Sequence, residues 1–195
     1  VGDPITLTVD IEDQWKNTDF IMASGPKLVD GGKVDLEINS NSTRAREITS
    51  RTAVGINEDG SKVYFITVDG KQSGYSEGMS LTQFAEYVQS LGVYKAINLD
   101  GGGSTTMVAR QYGDEYPTVV NKPSNGYERK VINGLYAIVT SESNQAKKIS
   151  IELNEQGKIL AGASVDLDLN YVLDEFYHPM DVTIDEVDFS VEGNV

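Results

Sequence analysis

The run Ala96-Ile-Asn-Leu-Asp-Gly-Gly-Gly-Ser-Thr-Thr-Met107 constrains this chain more than any other feature. Strand-like residues (Ala96, Ile97, Leu99) lead into Asp100, then Gly101, Gly102 and Gly103, then Ser104, Thr105 and Thr106. Glycine loses more backbone freedom on folding than any other residue. Three in a row fit where the backbone takes unusual angles or where another group must come close. Successive N–H groups in such a loop form a concave nest for an anionic oxygen. With Asp100 at its mouth and hydroxyls behind it, the loop suits a phosphate ester or a sugar. A tight turn with no ligand is the plain alternative. No Lys-Ser/Thr follows the glycines as in a P-loop, and the spacing is not that of a dinucleotide fingerprint. Thr105 to Arg110 is rich in β-branched residues and favours a strand, so the loop is expected to join two strands.

The 195 residues can bury a sizeable core as one domain or as a domain with an attachment. Hydrophobic content of 39% and charge of 24% are those of an ordinary globular chain. No apolar run approaches membrane-spanning length, so no transmembrane segment is expected. Val1-Gly-Asp-Pro4 offers neither an initiator Met nor a signal sequence, which reads as a mature or excised form. The absence of cysteine excludes disulfides and thiolate chemistry, and it suits a bacterial protein, secreted ones included. A lone histidine, His178, argues against a His-rich zinc site or a Ser-His-Asp triad and itself reads as functionally silent. The net charge of −14 is uneven: residues 149–195 carry −10 and the first 148 carry −4. Nucleic-acid binding needs a basic face, so nucleic acid is excluded as a partner. A compositional boundary falls near Lys147-Lys148.

Turn signals at Gly25-Pro26 and Asp30-Gly31-Gly32 bracket Lys27 to Val29, and Asn39 to Thr43 reads as loop. Arg51 to Ile56 and Val63 to Val68 read as a hairpin turning at Asp59-Gly60. Ser73 to Gly78 is a small-residue loop. Ser80 with Gln83 forms a capping box. Leu81, Phe84, Ala85, Val88 and Leu91 then share one face of a helix that Gly92 stops. Strands are expected at Tyr94 to Leu99 and at Lys130 to Thr140, the latter interrupted by Asn133-Gly134, with a linker at Ser141 to Asn144. Beyond it, Ile149/Ile151/Leu153, Val165/Leu167/Leu169 and Val182/Ile184 alternate, punctuated by Gly157 and Gly162. The fold class is therefore α+β: mixed sheets with few helices, followed by a short all-β C-terminal extension. The expected division is 1–143 and 144–195, the second an acidic extension or partial immunoglobulin-like module.

Several segments in order carry a resemblance. They are Arg51-Thr-Ala-Val-Gly55, Thr67-Val-Asp-Gly70, Gly78-Met-Ser-Leu81, the helix ending Leu91-Gly92, the glycine loop through Met107, Asn121-Lys-Pro-Ser124, and Glu128-Arg129 through Asn133-Gly134. Together, from about Ala23 to Thr140, they resemble the phosphodiester glycosidase domain, the family of the mammalian "uncovering enzyme". The resemblance implies a mixed α/β fold and hydrolysis of the glycosidic bond in a sugar-1-phosphodiester. The substrate would be a carbohydrate or sugar phosphate, met on extracellular or cell-wall glycans. Only about 22 residues precede the start of the resemblance, where related domains carry an Asn-Gly-rich segment and aromatics. The family's N-terminal part is accordingly expected to be missing.

The chemistry of such a substrate selects residues. Phosphate departs as an anion, so the enzyme needs to stabilise that charge and to set a carboxylate near the anomeric carbon. Arg129 and Arg51 are the candidate phosphate clamps, because a guanidinium matches phosphate bidentately. Asp100 is the first candidate for the catalytic carboxylate, as nucleophile or base; Asp69 and Glu128 are the second. Amides of Gly101, Gly102, Gly103 and Ser104 add donors beside Thr105, and Asn121 and Ser124 suit sugar hydroxyls. The plain alternatives are a turn role for Asp69, an ion pair for Glu128 with Arg129 or Arg51, and a structural ion pair for Arg51. No cofactor is expected. Carboxylates with glycine-loop carbonyls are compatible with a divalent cation, although no loop has calcium-hand spacing. The competing function is that of a non-catalytic glycan-binding or structural module in a larger, multidomain bacterial surface protein.

Overall fold

The computed structural model describes residues 4–8, 10–141, 145–153, 162 and 164–190. The chain divides into two units, residues 1–105 and 106–195. Its class is α+β, as the sequence reading expects. The expected division at 143/144 falls within the second unit. Of the expected linker, residues 142–144 lie outside the described residues, as does Gly157.

The first unit is built on a five-stranded antiparallel sheet. Its strands are β1 (Lys27–Asp30), β2 (Lys33–Val34), β3 (Arg51–Ile56), β4 (Val63–Val68) and β5 (Lys95–Asn98), in the order β2-β1-β5-β3-β4. The expected hairpin forms with the expected bounds. Along β3, alternate residues Arg51, Ala53 and Gly55 are buried, as strand periodicity requires. Helix α2 (Leu81–Ser90) covers that face with Leu81, Phe84, Ala85 and Val88. Each large side chain so buried contributes about 1.5–3 kcal/mol. Ser80 caps α2 as expected: its hydroxyl accepts from Gln83 N, and the Gln83 side chain accepts from Ser80 N. Leu91, expected on the apolar face, stands at the helix end and is exposed. A short helix, α1 (Thr43–Arg46), follows the polar run read as loop. Ser42 caps it by accepting from Ala45 N, and Ala45 joins the core.

The second unit contains a two-stranded ladder, β6 (Val108–Ala109) with β7 (Thr118–Val119). Its three-stranded antiparallel sheet has β9 (Leu167–Asp174) between β8 (Ala146–Leu153) and β10 (Pro179–Met180). The strand expected over Thr105 to Arg110 is shorter than its composition suggests. That expected over Lys130 to Thr140 does not form, and Val131, Ile132, Tyr136 and Ile138 are exposed. A strand is stable only with a partner strand, and among the described residues none pairs with this segment. The Val182/Ile184 alternation likewise yields to a 3₁₀ turn at Ile184–Glu186, because Glu186 reaches back to Thr183 N and caps it.

Asp174 organises the turn between β9 and β10. Its Oδ1 accepts from Phe176 N and His178 N at 2.8 Å each, and Oδ2 lies 3.2 Å from His178 Nδ1. Tyr177 is held at φ +64° there. Its ring stacks on Tyr112, and Arg110 donates to its carbonyl. His178 is thus tied into a hairpin. Burial opposes ionisation of Asp174, but the bonds from His178 and Phe176 outweigh it and hold the carboxyl below its ordinary range. A depressed folded-state value stabilises above the unfolded value and is lost as pH falls through the folded one. The urea midpoint should therefore drop on acidification below about pH 4. Asp174→Asn should lower the midpoint at neutral pH and flatten that dependence, read by circular dichroism.

Candidate active site at the strand ends of the sheet

Antiparallel pairing on both sides of β3 carries the ends of β4 and β5 to its start. Val68 lies opposite Arg51, and Asn98 opposite Ala53. The chain leaves β4 as Asp69-Gly70 and β5 as Leu99-Asp100-Gly101. Asp69 and Asp100 therefore emerge on either side of Ser50-Arg51, from strands two spacings (about 10 Å) apart.

Close packing of glycines fixes this arrangement. A Cβ on Gly70 would lie 2.3 Å from Ser50 N, one on Gly78 2.3 Å from the Thr49 carbonyl oxygen, and one on Gly101 2.8 Å from Ser50 O. No side chain fits at such distances. Three glycine motifs, two at the base of one small hairpin and one in the glycine loop, thus pack on one dipeptide, Thr49-Ser50. Backbone bonds between Thr49 and Met79 (3.0 and 3.4 Å) close it on the Gly78 side. Ser50 clamps the glycine loop: its hydroxyl donates to Gly102 O at 2.8 Å, and Gly102 N donates to Ser50 O at 2.9 Å.

Most amides of the expected nest are spent inside the protein. Gly101 N donates to Asp100 Oδ1 (3.0 Å), Ser104 N to Gly101 O and Thr105 N to Gly102 O (3.1 Å each). Gly103 is the one residue from Gly101 to Thr105 whose amide these bonds do not use. Thr105 is buried, and its hydroxyl lies 3.1 Å from that of Thr52. Beneath the loop, the Thr49 hydroxyl is buried without a hydrogen-bond partner, 3.7 Å from where a Cβ on Gly102 would stand.

Arg51 is buried, and its guanidinium turns to backbone carbonyls, donating from Nε to Met79 O (2.9 Å) and from a terminal nitrogen to Glu47 O (2.5 Å). Burial pulls its pKa below the ordinary value, with Glu47 pulling the other way; the group remains a cation. Asp100 is exposed and Asp69 half-buried. Asp69 Oδ2 accepts from the Tyr75 hydroxyl at 3.1 Å, and its carbonyl from the Ser76 hydroxyl at 2.6 Å.

The remaining sequence-derived residues belong to the second unit. Asn121 accepts from Met107 N at 2.7 Å, which ties it to the β6–β7 ladder. Ser124 follows Pro123 in a turn closed by Gly126 N to Pro123 O. Glu128 and Arg129 are exposed, in chain without regular structure. Among the described residues no group of three or more His, Asp and Glu side chains stands together as metal ligands, and no helix is long and apolar enough to cross a membrane. Sequence reasoning missed Thr49, Ser50 and Tyr75. Ser50 directly precedes the Arg51 motif, which was a usable signal. Tyr75 is the one aromatic in the loop read as small residues.

A family model described as phosphodiester glycosidase matches residues 2–138. The N-acetylglucosamine-1-phosphodiester alpha-N-acetylglucosaminidase of Mus musculus is 37% identical over 82 residues, covering 42% of this chain and 15% of the relative. The protein of the same name from Homo sapiens is 38% identical over 82 residues, with the same coverage. The chain thus spans about 15% of the length of these relatives. The solved catalytic domain of the zebrafish protein of that name is 30% identical. The match covers 53% of this chain and 37% of that one at a TM-score of 0.38.

The packing on Thr49-Ser50 has a measurable consequence. Gly70→Ala drives a methyl into backbone that cannot retreat, and should cost about 3 kcal/mol. At Gly74 (φ +76°) nothing lies within 4 Å of a Cβ, so Gly74→Ala should cost only the left-handed strain of about 1 kcal/mol. Urea denaturation of the two variants checks the difference.

Proposed function

The chain belongs to the phosphodiester glycosidase family, and from that premise we propose that it hydrolyses the glycosidic bond of sugar-1-phosphodiesters of the N-acetylglucosamine type. The observation that carries this reading is the convergence of three glycine motifs on Thr49-Ser50, with Asp69 and Asp100 leaving flanking strands there. In the reaction the bond between the anomeric carbon and the phosphate oxygen breaks. That oxygen leaves with the electron pair as a phosphomonoester. Water supplies the hydroxyl that ends on the sugar, and its proton passes through a carboxylate to solvent. Because the leaving group is already an anion, the demand falls on a carboxylate at the anomeric carbon and on groups that stabilise the departing charge.

Asp100 is the carboxylate for the anomeric carbon: it is exposed, and its Oδ1 bond to Gly101 N fixes its direction at the loop mouth. Arg51, bound to the carbonyls of Met79 and Glu47, supports the strand start from beneath. Arg129 is the proposed phosphate clamp on its chemistry alone, a guanidinium matching phosphate bidentately. The cysteine-free, strongly acidic composition suits bacterial extracellular or cell-wall glycans as the setting.

Release of N-acetylglucosamine from UDP-N-acetylglucosamine, followed by chromatography, tests the reading. Asp100→Asn should lower kcat by about 10²–10³ with KM little changed, because its carboxylate acts as the bond breaks. Arg129→Lys should impair both kcat and KM, since lysine keeps the charge but loses the fork. An Asp100→Asn variant retaining most of its activity would refute the assignment. Binding without turnover by the unaltered chain would favour a glycan-binding module.

A further inference from the structure

Between β4 and α2 the chain makes a small second hairpin. Lys71 N donates to Glu77 O, and Gln72 and Ser76 exchange backbone bonds at 2.9 Å. Its base cannot slide, because Gly70 and Gly78 are packed on Thr49-Ser50. Lys71, at φ +57°, adopts a conformation uncommon for a side-chain-bearing residue. Its ammonium lies 2.7 Å from Glu47 Oε1 and holds that carboxyl below its ordinary range. The tip then folds back on the first residue of the hairpin: Ser76 binds the Asp69 carbonyl and Tyr75 its carboxylate.

The Asp69 backbone is fixed by its neighbour Gly70, but two side-chain torsions leave the direction of the carboxylate open. The Tyr75 hydroxyl narrows that choice by donating to Oδ2 at 3.1 Å. Tyr75 does so from the solvent side, with 59% of its surface exposed. A tyrosine that served only the core would not stand so open. An ionised carboxylate accepts several hydrogen bonds, so one from Tyr75 is compatible with another from a sugar hydroxyl.

We propose that Tyr75 is a positioning residue that orients the Asp69 carboxylate as the acceptor for a hydroxyl of the substrate's sugar. The role rests on the sugar-1-phosphodiester reading, and it divides the strand ends by task. Asp100 faces the bond that breaks, whereas Asp69 on the other side of β3 holds the sugar. The Asp69 bond, and then its charge, raise the pKa of Tyr75. The phenol therefore stays a donor throughout the neutral range.

Two measurements decide the proposal, neither of which needs turnover. The first is titration of the Tyr75 ring by ¹³C NMR, its signal assigned by its loss in Tyr75→Phe. Asp69→Asn should move the midpoint down toward the ordinary tyrosine value, and an unchanged midpoint would show that the pair is absent and overturn the proposal. The second is calorimetric binding of N-acetylglucosamine 1-phosphate. Tyr75→Phe should weaken it about tenfold, the loss of one charge-assisted bond, with the far-ultraviolet spectrum unchanged. Where UDP-N-acetylglucosamine is turned over, the loss should appear in KM with kcat within about twofold. Unaltered affinity in Tyr75→Phe, or a fall in kcat alone, overturns the positioning role. Absence of turnover with affinity still dependent on Tyr75 overturns the hydrolytic reading instead and leaves the sugar contact standing.

Discussion

Backbone-to-backbone contact at Thr49-Ser50 is the constraint on which the first unit's strand ends depend. Close-packed interiors transmit small displacements, and here the contacts are between main-chain atoms that no rotamer change can relieve. Asp69 and Asp100 each adjoin a glycine pressed on Ser50. Their relative placement is consequently inherited from the packing of one residue, and not from two independent loops. A site that must hold reacting groups to within a fraction of an ångström gains from such a shared reference.

The same contacts explain why the glycine loop is less of an anion cradle than its sequence suggests. A nest binds an anion only if its amides point outward unsatisfied. Ser50 turns Gly102 inward by a reciprocal pair of bonds, and the 3₁₀ turn at Gly102–Ser104 consumes the amides of Ser104 and Thr105. Close approach requires Gly101, whereas Gly102 is held at φ +59° with no tight contact, so both reasons a sequence can offer for such a run apply and the sequence cannot separate them. Whatever charge stabilisation a departing phosphate needs is then a matter for side chains more than for loop amides.

Local signals were legible wherever partner and pattern were both encoded nearby. The Arg51–Val68 hairpin, the Ser80 capping box and the alternation that becomes β8 and β9 are each encoded in a continuous local stretch of sequence. Lys130 to Thr140 failed because alternation says that a strand could form, not that an edge is offered to it. At the site, Asp69, Asp100 and Arg51 could be selected from motif and chemistry. That the Arg51 guanidinium would be spent on the carbonyls of Glu47 and Met79 could not, since those acceptors become neighbours only after the sheet and α2 assemble. Thr49, Ser50 and Tyr75 carry no rare chemistry in sequence. Their importance is relational, set by what the glycines press against and where the small hairpin ends.

Why Asp174 is a structural carboxylate while Asp69 and Asp100 are candidates for chemistry follows from how each is surrounded. All three stand at or just beyond the end of a strand. Asp174 is buried, and both its oxygens are committed to the turn that follows, two backbone amides on one and His178 on the other. A substrate could reach it only by dismantling β9–β10, so the Asp-His pair, though it resembles an acid–base dyad on paper, acts on the hairpin alone. Asp100 bonds the amide directly after it and stays exposed, and Asp69 takes a phenol from an exposed ring. Bonds of that kind set the direction of a carboxylate without sealing it from solvent. Orientation with access is what catalysis and ligand binding require, and orientation with burial is what a turn requires.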